Sequence, residues 1–250
     1  MSDHAETTIP GIRVAIDELG VSLRSERLLT VVSSAVVGGG SCRARDIVNM
    51  HVDDMPPGTN PEDELAAYAA RLDIDGPFVG VMTAAKTQYA QVAAATRDGL
   101  TVAAVVSVGL SNTTSAGVSD PVIGGPGVSD PVDTGSGAGD PGVIAPGTIN
   151  VIVLVDGQLT PAALVNAVIT VTEAKTMILG EWQVRTPEGQ LASGTSTDAV
   201  VVAATGRGPA LSYAGPATTI GWLAARTTRQ AIAQICAAKL ARDSGRRVGW

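Results

Sequence analysis

The sequence predicts an α/β domain in which one or more mixed β-sheets are covered by helices. Three observations carry that prediction. Strand-like and helix-like runs alternate along most of the chain, with several strands together at the beginning. Two apolar runs, 151–155 and 199–204, flank a single long helical segment. Hydrophobic residues make up 45% of the 250 residues while aromatics make up only 3%, so the core must be Val, Ala, Leu and Ile. That composition suits β-branched strands under Ala-rich helices. The length is enough for one large domain, and nothing along the chain marks a boundary. The reading is a single domain over 1–250, with a Gly-, Pro- and Asp-rich loop inserted at 113–146.

In chain order, 11–16 alternates loosely and suits an edge strand. Leu28-Leu29-Thr30-Val31-Val32 is a stronger strand by its β-branched content, and it leads through Ser33-Ser34 to Gly38-Gly39-Gly40. Neither a GxGxxG nor a GxxxxGK[ST] pattern occurs at these glycines, so they read as a loop in preference to a phosphate cradle. A short strand covers 47–52. Asn60-Pro61-Glu62-Asp63-Glu64 starts a helix, with Asn60 as N-cap and Pro61 at the first position. Residues 78–82 form a strand, followed by Thr83-Ala84-Ala85-Lys86 and a helix expected through Thr96. Residues 100–108 are apolar without alternation, as in a strand covered on both faces. Within the inserted loop, Gly117-Val118-Ser119-Asp120-Pro121-Val122 recurs as Gly127-Val128-Ser129-Asp130-Pro131-Val132. Its aspartates fit no EF-hand spacing.

The stretch 147–198 organises the rest. From Pro161 to Val171 the helix carries no charge and is apolar almost all round, which predicts burial on every side. Glu173 and Lys175 then continue apolar stripes near its end. A buried unpaired charge is costly, so either they find partners or the helix end opens on a cleft. A helix that simply reaches the surface accounts for them equally well. A last helix runs from Thr218 to about Asp243, with its arginines and lysines as a solvated face.

Charge and composition exclude several classes. A formal charge of −7 argues against nucleic acid as partner. Cys42 and Cys236 have no CxxC partner, and His4 and His51 are the only histidines, so a zinc site or a His-based triad has little to build on. Residues 1–10 lack a signal-peptide pattern, and the apolar run 100–110 is too short to span a bilayer. The expectation is a soluble, cytoplasmic protein with no membrane or nucleic-acid partner; a homo-oligomer is left open. From the residues alone the reading stops at a polar cleft near Asn49, Asn112, Asn150, Glu173, Lys175, Thr195 and Asp198.

The order of short motifs says more. It runs Ser33-Ser34 before the glycines, Asn49 in Ile47-Val48-Asn49, Met82-Thr83-Ala84-Ala85, Gly109-Leu110-Ser111-Asn112 and Gly147-Thr148-Ile149-Asn150. It continues with Thr172-Glu173-Ala174-Lys175-Thr176, Gly194-Thr195-Ser196-Thr197-Asp198 and Tyr213-Ala214-Gly215. This series resembles the adenosylcobinamide amidohydrolases of corrinoid salvage, the CbiZ family, over roughly 28–223. Two departures stand out. The loop at 113–146 is longer than the resemblance leads one to expect, and Pro216-Ala217-Thr218 stands where a histidine is expected. The resemblance implies hydrolysis of the amide joining aminopropanol to the corrin ring, giving adenosylcobyric acid. The corrinoid would be substrate and no cofactor is implied, with a metal requirement left open. On that reading Glu173, Lys175, Thr195 and Asp198 are the candidate catalytic groups. Asp198 or Glu173 would activate water or the Thr195 hydroxyl, and Lys175 would stabilise the oxyanion or protonate the amine. Ser34, Gly39, Asn49, Thr83, Asn112 and Asn150 are the candidate substrate-binding residues. The alternative is a corrinoid-binding or carrier protein of the same fold without hydrolysis.

Overall fold

The structure is a computed structural model that describes residues 3–5, 7–53, 55, 58–121 and 147–246. Its elements follow in chain order. Strands β1 (Asp3–Ala5), β2 (Ile12–Ile16), β3 (Gly20–Ser33) and β4 (Gly40–His51) come first. Helix α1 (Pro61–Arg71), strand β5 (Phe78–Thr83), a 3-10 turn (Thr87–Tyr89), β6 (Gln91–Arg97), β7 (Leu100–Val108) and β8 (Thr113–Thr114) follow. Most of the loop expected at 113–146 lies outside the described residues; beyond it come β9 (Ile149–Asp156), β10 (Gln158–Leu159), α2 (Pro161–Glu181), β11 (Gly194–Thr195), β12 (Ala199–Ala204), β13 (Ala210–Leu211) and α3 (Thr219–Arg246). The second copy of the duplicated hexapeptide, 127–132, lies outside the described residues.

Nine strands form one mixed sheet in the order β1-β2-β3-β12-β9-β7-β6, with β4 and β5 branching from β3. The branch depends on a bend within β3. Its pairing with β4 moves from Arg24↔Asp46 to Leu29↔Ala44, so residues 25–28 face only Arg45. Such a bulge kinks a strand and raises its twist. The first part of β3 pairs with β2 and the last part with β12, so one strand serves two halves of the sheet.

Each half carries a strand–helix–parallel strand unit, and each helix covers its own half. In β4-α1-β5, Leu65, Tyr68 and Ala69 of α1 pack with Val48 and Met50. In β9-α2-β12, α2 and α3 pack on Val151, Val153, Val200 and Val202. Between the halves lies an inner core of Val21, Leu23, Ile47, Val81, Ile152 and Leu154. The order of layers is therefore helix, half-sheet, half-sheet, helix. The α/β class with a mixed sheet under helices is as the composition predicts. Val102, Ala104 and Val106 of β7 face one core while Ala103 and Val105 face the other, which is why that strand shows no alternation.

Local chemistry explains the helix starts. The Asn60 side chain accepts from Glu62 N at 2.9 Å, and Pro61 is the first residue of α1. Thr160 accepts from Ala163 N at 3.2 Å at the start of α2.

Several expectations need correction. The edge strand expected over 11–16 is β2, paired on both sides with β1 and β3, and the short strand expected over 47–52 is the end of the 12-residue β4. The helix expected through Thr96 is instead the short Thr87–Tyr89 turn followed by β6. Asp98 and Gly99 both take positive φ, 52° and 75°, and close a two-residue hairpin between β6 and β7. The strand starting at Leu28 is the second part of a strand that begins at Gly20. Finally, α2 is not buried all round. Its inner face is buried, but Val165, Ile169 (50% exposed) and Met177 (61% exposed) face outward. Among the described residues α2 alone is long and apolar enough to cross a membrane, and about half of it is buried against the sheet and α3.

Candidate active site

The candidate residues assemble where β9 and β12 begin. These two strands are parallel, and β7 runs antiparallel to β9, so the end of β7 joins the starts of the other two. Ligand sites of open parallel sheets usually lie at carboxyl ends of strands. Here the polar groups gather at amino ends, because α2 leaves the far end of β9 and returns its last turns to this edge.

Lys175 on the inner face of α2 pairs with Asp198, the residue before β12. Their side chains are only 8% and 11% exposed. Asp198 accepts on both oxygens. Lys175 Nζ and Thr195 N donate to Oδ2, and Thr195 Oγ1 and Ile149 N donate to Oδ1. The two backbone bonds measure 3.2 Å from Thr195 N and 2.9 Å from Ile149 N. Four donors saturate a carboxylate, and a buried charge is tolerated only under such conditions. Gly194 is required for this approach: a Cβ there would come within 2.6 Å of Lys175 Nζ and 2.2 Å of Asp198 Oδ2.

The cluster extends along the motifs. Thr148 Oγ1 lies 2.8 Å from Thr197 Oγ1, and Gly109 N donates to Thr148 O at 2.9 Å. Asn112 Nδ2 donates to Ser196 Oγ at 2.7 Å. Its Oδ1 is buried without a donor among the described residues, and a Cβ on Gly147 would come within 2.4 Å of it.

A second polar group begins two residues along β9. Asn150 Nδ2 donates to Asn49 Oδ1 and to Met82 O, both at 2.8 Å, and Asn49 Nδ2 donates to Ser107 Oγ at 2.9 Å. The Met82 carbonyl accepts only, which fixes the Asn150 amide orientation and leaves Oδ1 without a donor among the described residues. Thr83 is buried beside it and its hydroxyl accepts from Ala85 N at 3.0 Å.

The structure therefore brings Lys175, Thr195, Asp198, Asn112, Asn150, Asn49 and Thr83 to one region. Three other candidates take no part in these hydrogen bonds. Ser34 extends the β3–β12 pairing, exchanging 3.1 Å bonds with Val200. Gly39 lies in the exposed β3–β4 turn, where a Cβ would come within 2.4 Å of Ala35 O. Glu173 is exposed on the outward side of α2 and takes no part in the Lys175–Asp198 cluster. Two positions apart on a helix, Glu173 and Lys175 point to different sides, and only the second meets the sheet. Glu173→Gln is expected to leave thermal stability and any turnover within about twofold of the parent. A loss of turnover beyond tenfold in a steady-state assay would contradict this placement.

Tyr213-Ala214-Gly215 lies at the opposite end of the sheet, beyond the carboxyl end of β12. There Ala214 O accepts from Thr170 Oγ1 at 2.9 Å. Cys42 and Cys236 are both free, and burial pushes both thiols up, so neither is an activated nucleophile. No group of three or more His, Cys, Asp or Glu with metal-holding geometry occurs among the described residues. The resource that pattern reasoning missed is the polar run Thr148, Ser196 and Thr197. Its signal was the hydroxyl density of the two Gly-Thr motifs.

A model of the adenosylcobinamide amidohydrolase family matches residues 6–244, nearly the whole chain. The chain belongs to the adenosylcobinamide amidohydrolase family. The match spans every motif gathered at the site and the inserted loop alike. A search of curated proteins gave no match. Among solved structures the amidohydrolase-family chain is similar to the PH0078 protein from Pyrococcus horikoshii OT3. Identity is 13%, 94% of this chain and 83% of that one are covered, and the TM-score is 0.48.

Proposed function

We propose that this family member hydrolyses the amide linking aminopropanol to the corrin ring of adenosylcobinamide, releasing adenosylcobyric acid in corrinoid salvage or remodelling. The observation that carries the reading is the buried Lys175–Asp198–Thr195 constellation in a chain whose family is named for that amide. The Thr195 hydroxyl already donates to a carboxylate, the arrangement an oxygen nucleophile needs. In this scheme Thr195 Oγ1 attacks the amide carbon and its proton passes to Asp198. Asp198 then gives that proton to the leaving aminopropanol nitrogen. Water cleaves the resulting ester, giving one proton back through Asp198 to Thr195 and leaving the new acid. Lys175 stays charged beside the carboxylate and stabilises the oxyanion. The corrinoid is substrate, and the scheme uses no other cofactor. The setting proposed is the cytoplasm, without nucleic acid or membrane as partner.

The test is incubation of purified protein with adenosylcobinamide, following adenosylcobyric acid and aminopropanol by mass spectrometry. Both products in equal amounts are expected. A corrin absorbance change on binding without either product would replace hydrolysis by the carrier reading.

A further inference from the structure

Helix α2 turns an apolar ridge outward. Val165, Ile169 and Met177 are each half or more exposed, and with the exposed Glu173 they form one row spaced four residues apart. Single exposed apolar residues need no explanation, but a row of them marks a surface that something covers. Beside the ridge, α3 carries a trough of about 590 Å³. One wall is Trp222, Arg226 and Gln230, and the other is Ala225, Arg229 and Ala233. Ile178 of α2 lines the same space. Each wall is again a row spaced four residues apart. A trough between two such rows is the shape that a row of the same spacing on another helix fills, and this is the commonest way in which helices pack.

Charge matches as shape does. Glu173 is the one charged residue of the ridge, and it has no ion-pair partner among the described residues. In the trough, Arg229 is already held by both oxygens of Glu181, at 2.7 and 2.8 Å. Arg226 is held by no carboxylate among the described residues. Its guanidinium carbon lies 5.3 Å from the centroid of the Trp222 ring, a contact that leaves its charge uncompensated. One acid on the ridge and one cation in the trough therefore stand without a counter-ion.

We propose that the α2 ridge of one copy of this chain seats in the α3 trough of a second, with Glu173 meeting the partner's Arg226. Ridge and trough adjoin on one outer layer, so each copy inserts a ridge and receives one, the self-complementarity that a two-fold interface requires. A lipid surface fits this face less well. Helices that lie on membranes carry basic polar faces, whereas here an acid stands within the apolar row. The net charge of −7 also opposes anionic headgroups. The dimer uses the outward side of α2, while Lys175 faces inward, so its formation is independent of amide hydrolysis.

Sedimentation velocity of the full chain from about 1 to 200 µM tests it. A monomer–dimer equilibrium is expected within that range. Glu173→Arg and Arg226→Glu are each expected to weaken it at least about tenfold, because each sets like charges against one another. Both changes together restore opposite charges and are expected to return the affinity to within about threefold of the parent. Arg27→Glu, which reverses an exposed charge on β3, leaves it unchanged. Glu173 and Arg226 are exposed, so the variants keep the fold, as thermal unfolding of each will show. A monomer throughout the range, a dimer that neither reversal weakens, or a double variant as weak as the singles overturns the proposal. So does flotation of a monomer with phosphatidylcholine–phosphatidylglycerol vesicles, which would assign the ridge to a lipid surface.

Discussion

Replacing Thr195 with valine is expected to lower turnover of adenosylcobinamide at least about 100-fold while the protein stays folded. Valine keeps the β-branched shape and removes only the hydroxyl. The site is 8% exposed, so shape matters there. Asp198 would lose one of four donors and retain Lys175, Thr195 N and Ile149 N. Loss of one hydrogen bond to a charged group that stays otherwise satisfied costs about 1–2 kcal/mol, well short of unfolding a chain of this length. Thr195→Ser keeps the hydroxyl and should retain most of the activity. Single-turnover product measurement on both variants separates chemistry from binding. Equal rates for the valine variant and the parent would remove Thr195 as nucleophile and leave it a bond that merely holds Asp198.

Lys175→Met is expected to destabilise the fold by about 3 kcal/mol. For a chain of this size that lowers Tm by roughly 6–12 °C. The reasoning compares two magnitudes. An exposed ion pair is worth at most about 1 kcal/mol, whereas removing one partner of a buried pair strands the other charge. Lys175 and Asp198 belong to the second class by their burial. The lower end of the range applies because three further donors still hold the carboxylate. Adding Asp198→Asn to Lys175→Met removes the stranded charge, so the pair of changes should cost less than the sum of the singles. Strict additivity in thermal or urea unfolding would show that the two side chains are not coupled.

Much of this architecture was legible along the chain because it is encoded locally. Asn60-Pro61 announces α1 through its cap. The apolar runs 151–155 and 199–204 fall within β9 and β12, and the uncharged segment Pro161–Val171 between them is the first half of α2. The hairpin at Asp98-Gly99 is equally local, yet the segment before it, expected as helix through Thr96, is strand β6. Helix propensity is a weak prior, and here pairing with β7 overrides it. The bend in β3 had no comparable mark, since the extra residues between Arg24 and Leu29 are ordinary polar and apolar types.

The sequence by itself determined the α/β class, the βαβ unit at its centre and the set of motifs from which the site is built. Periodicity, capping and turn chemistry all act within a few residues of one another. Only the tertiary structure decided which of those residues meet. It turned Lys175 inward and Glu173 outward, although both continue apolar stripes on α2. It set Asp198 under four donors from three separate segments and left Asn112 and Asn150 each with an oxygen unpaired among the described residues. It also set the trough of α3 beside the outward ridge of α2. Those outcomes depend on how α2 and α3 rotate onto a bent sheet, and long-range packing of that kind leaves no periodic trace in the order of residues.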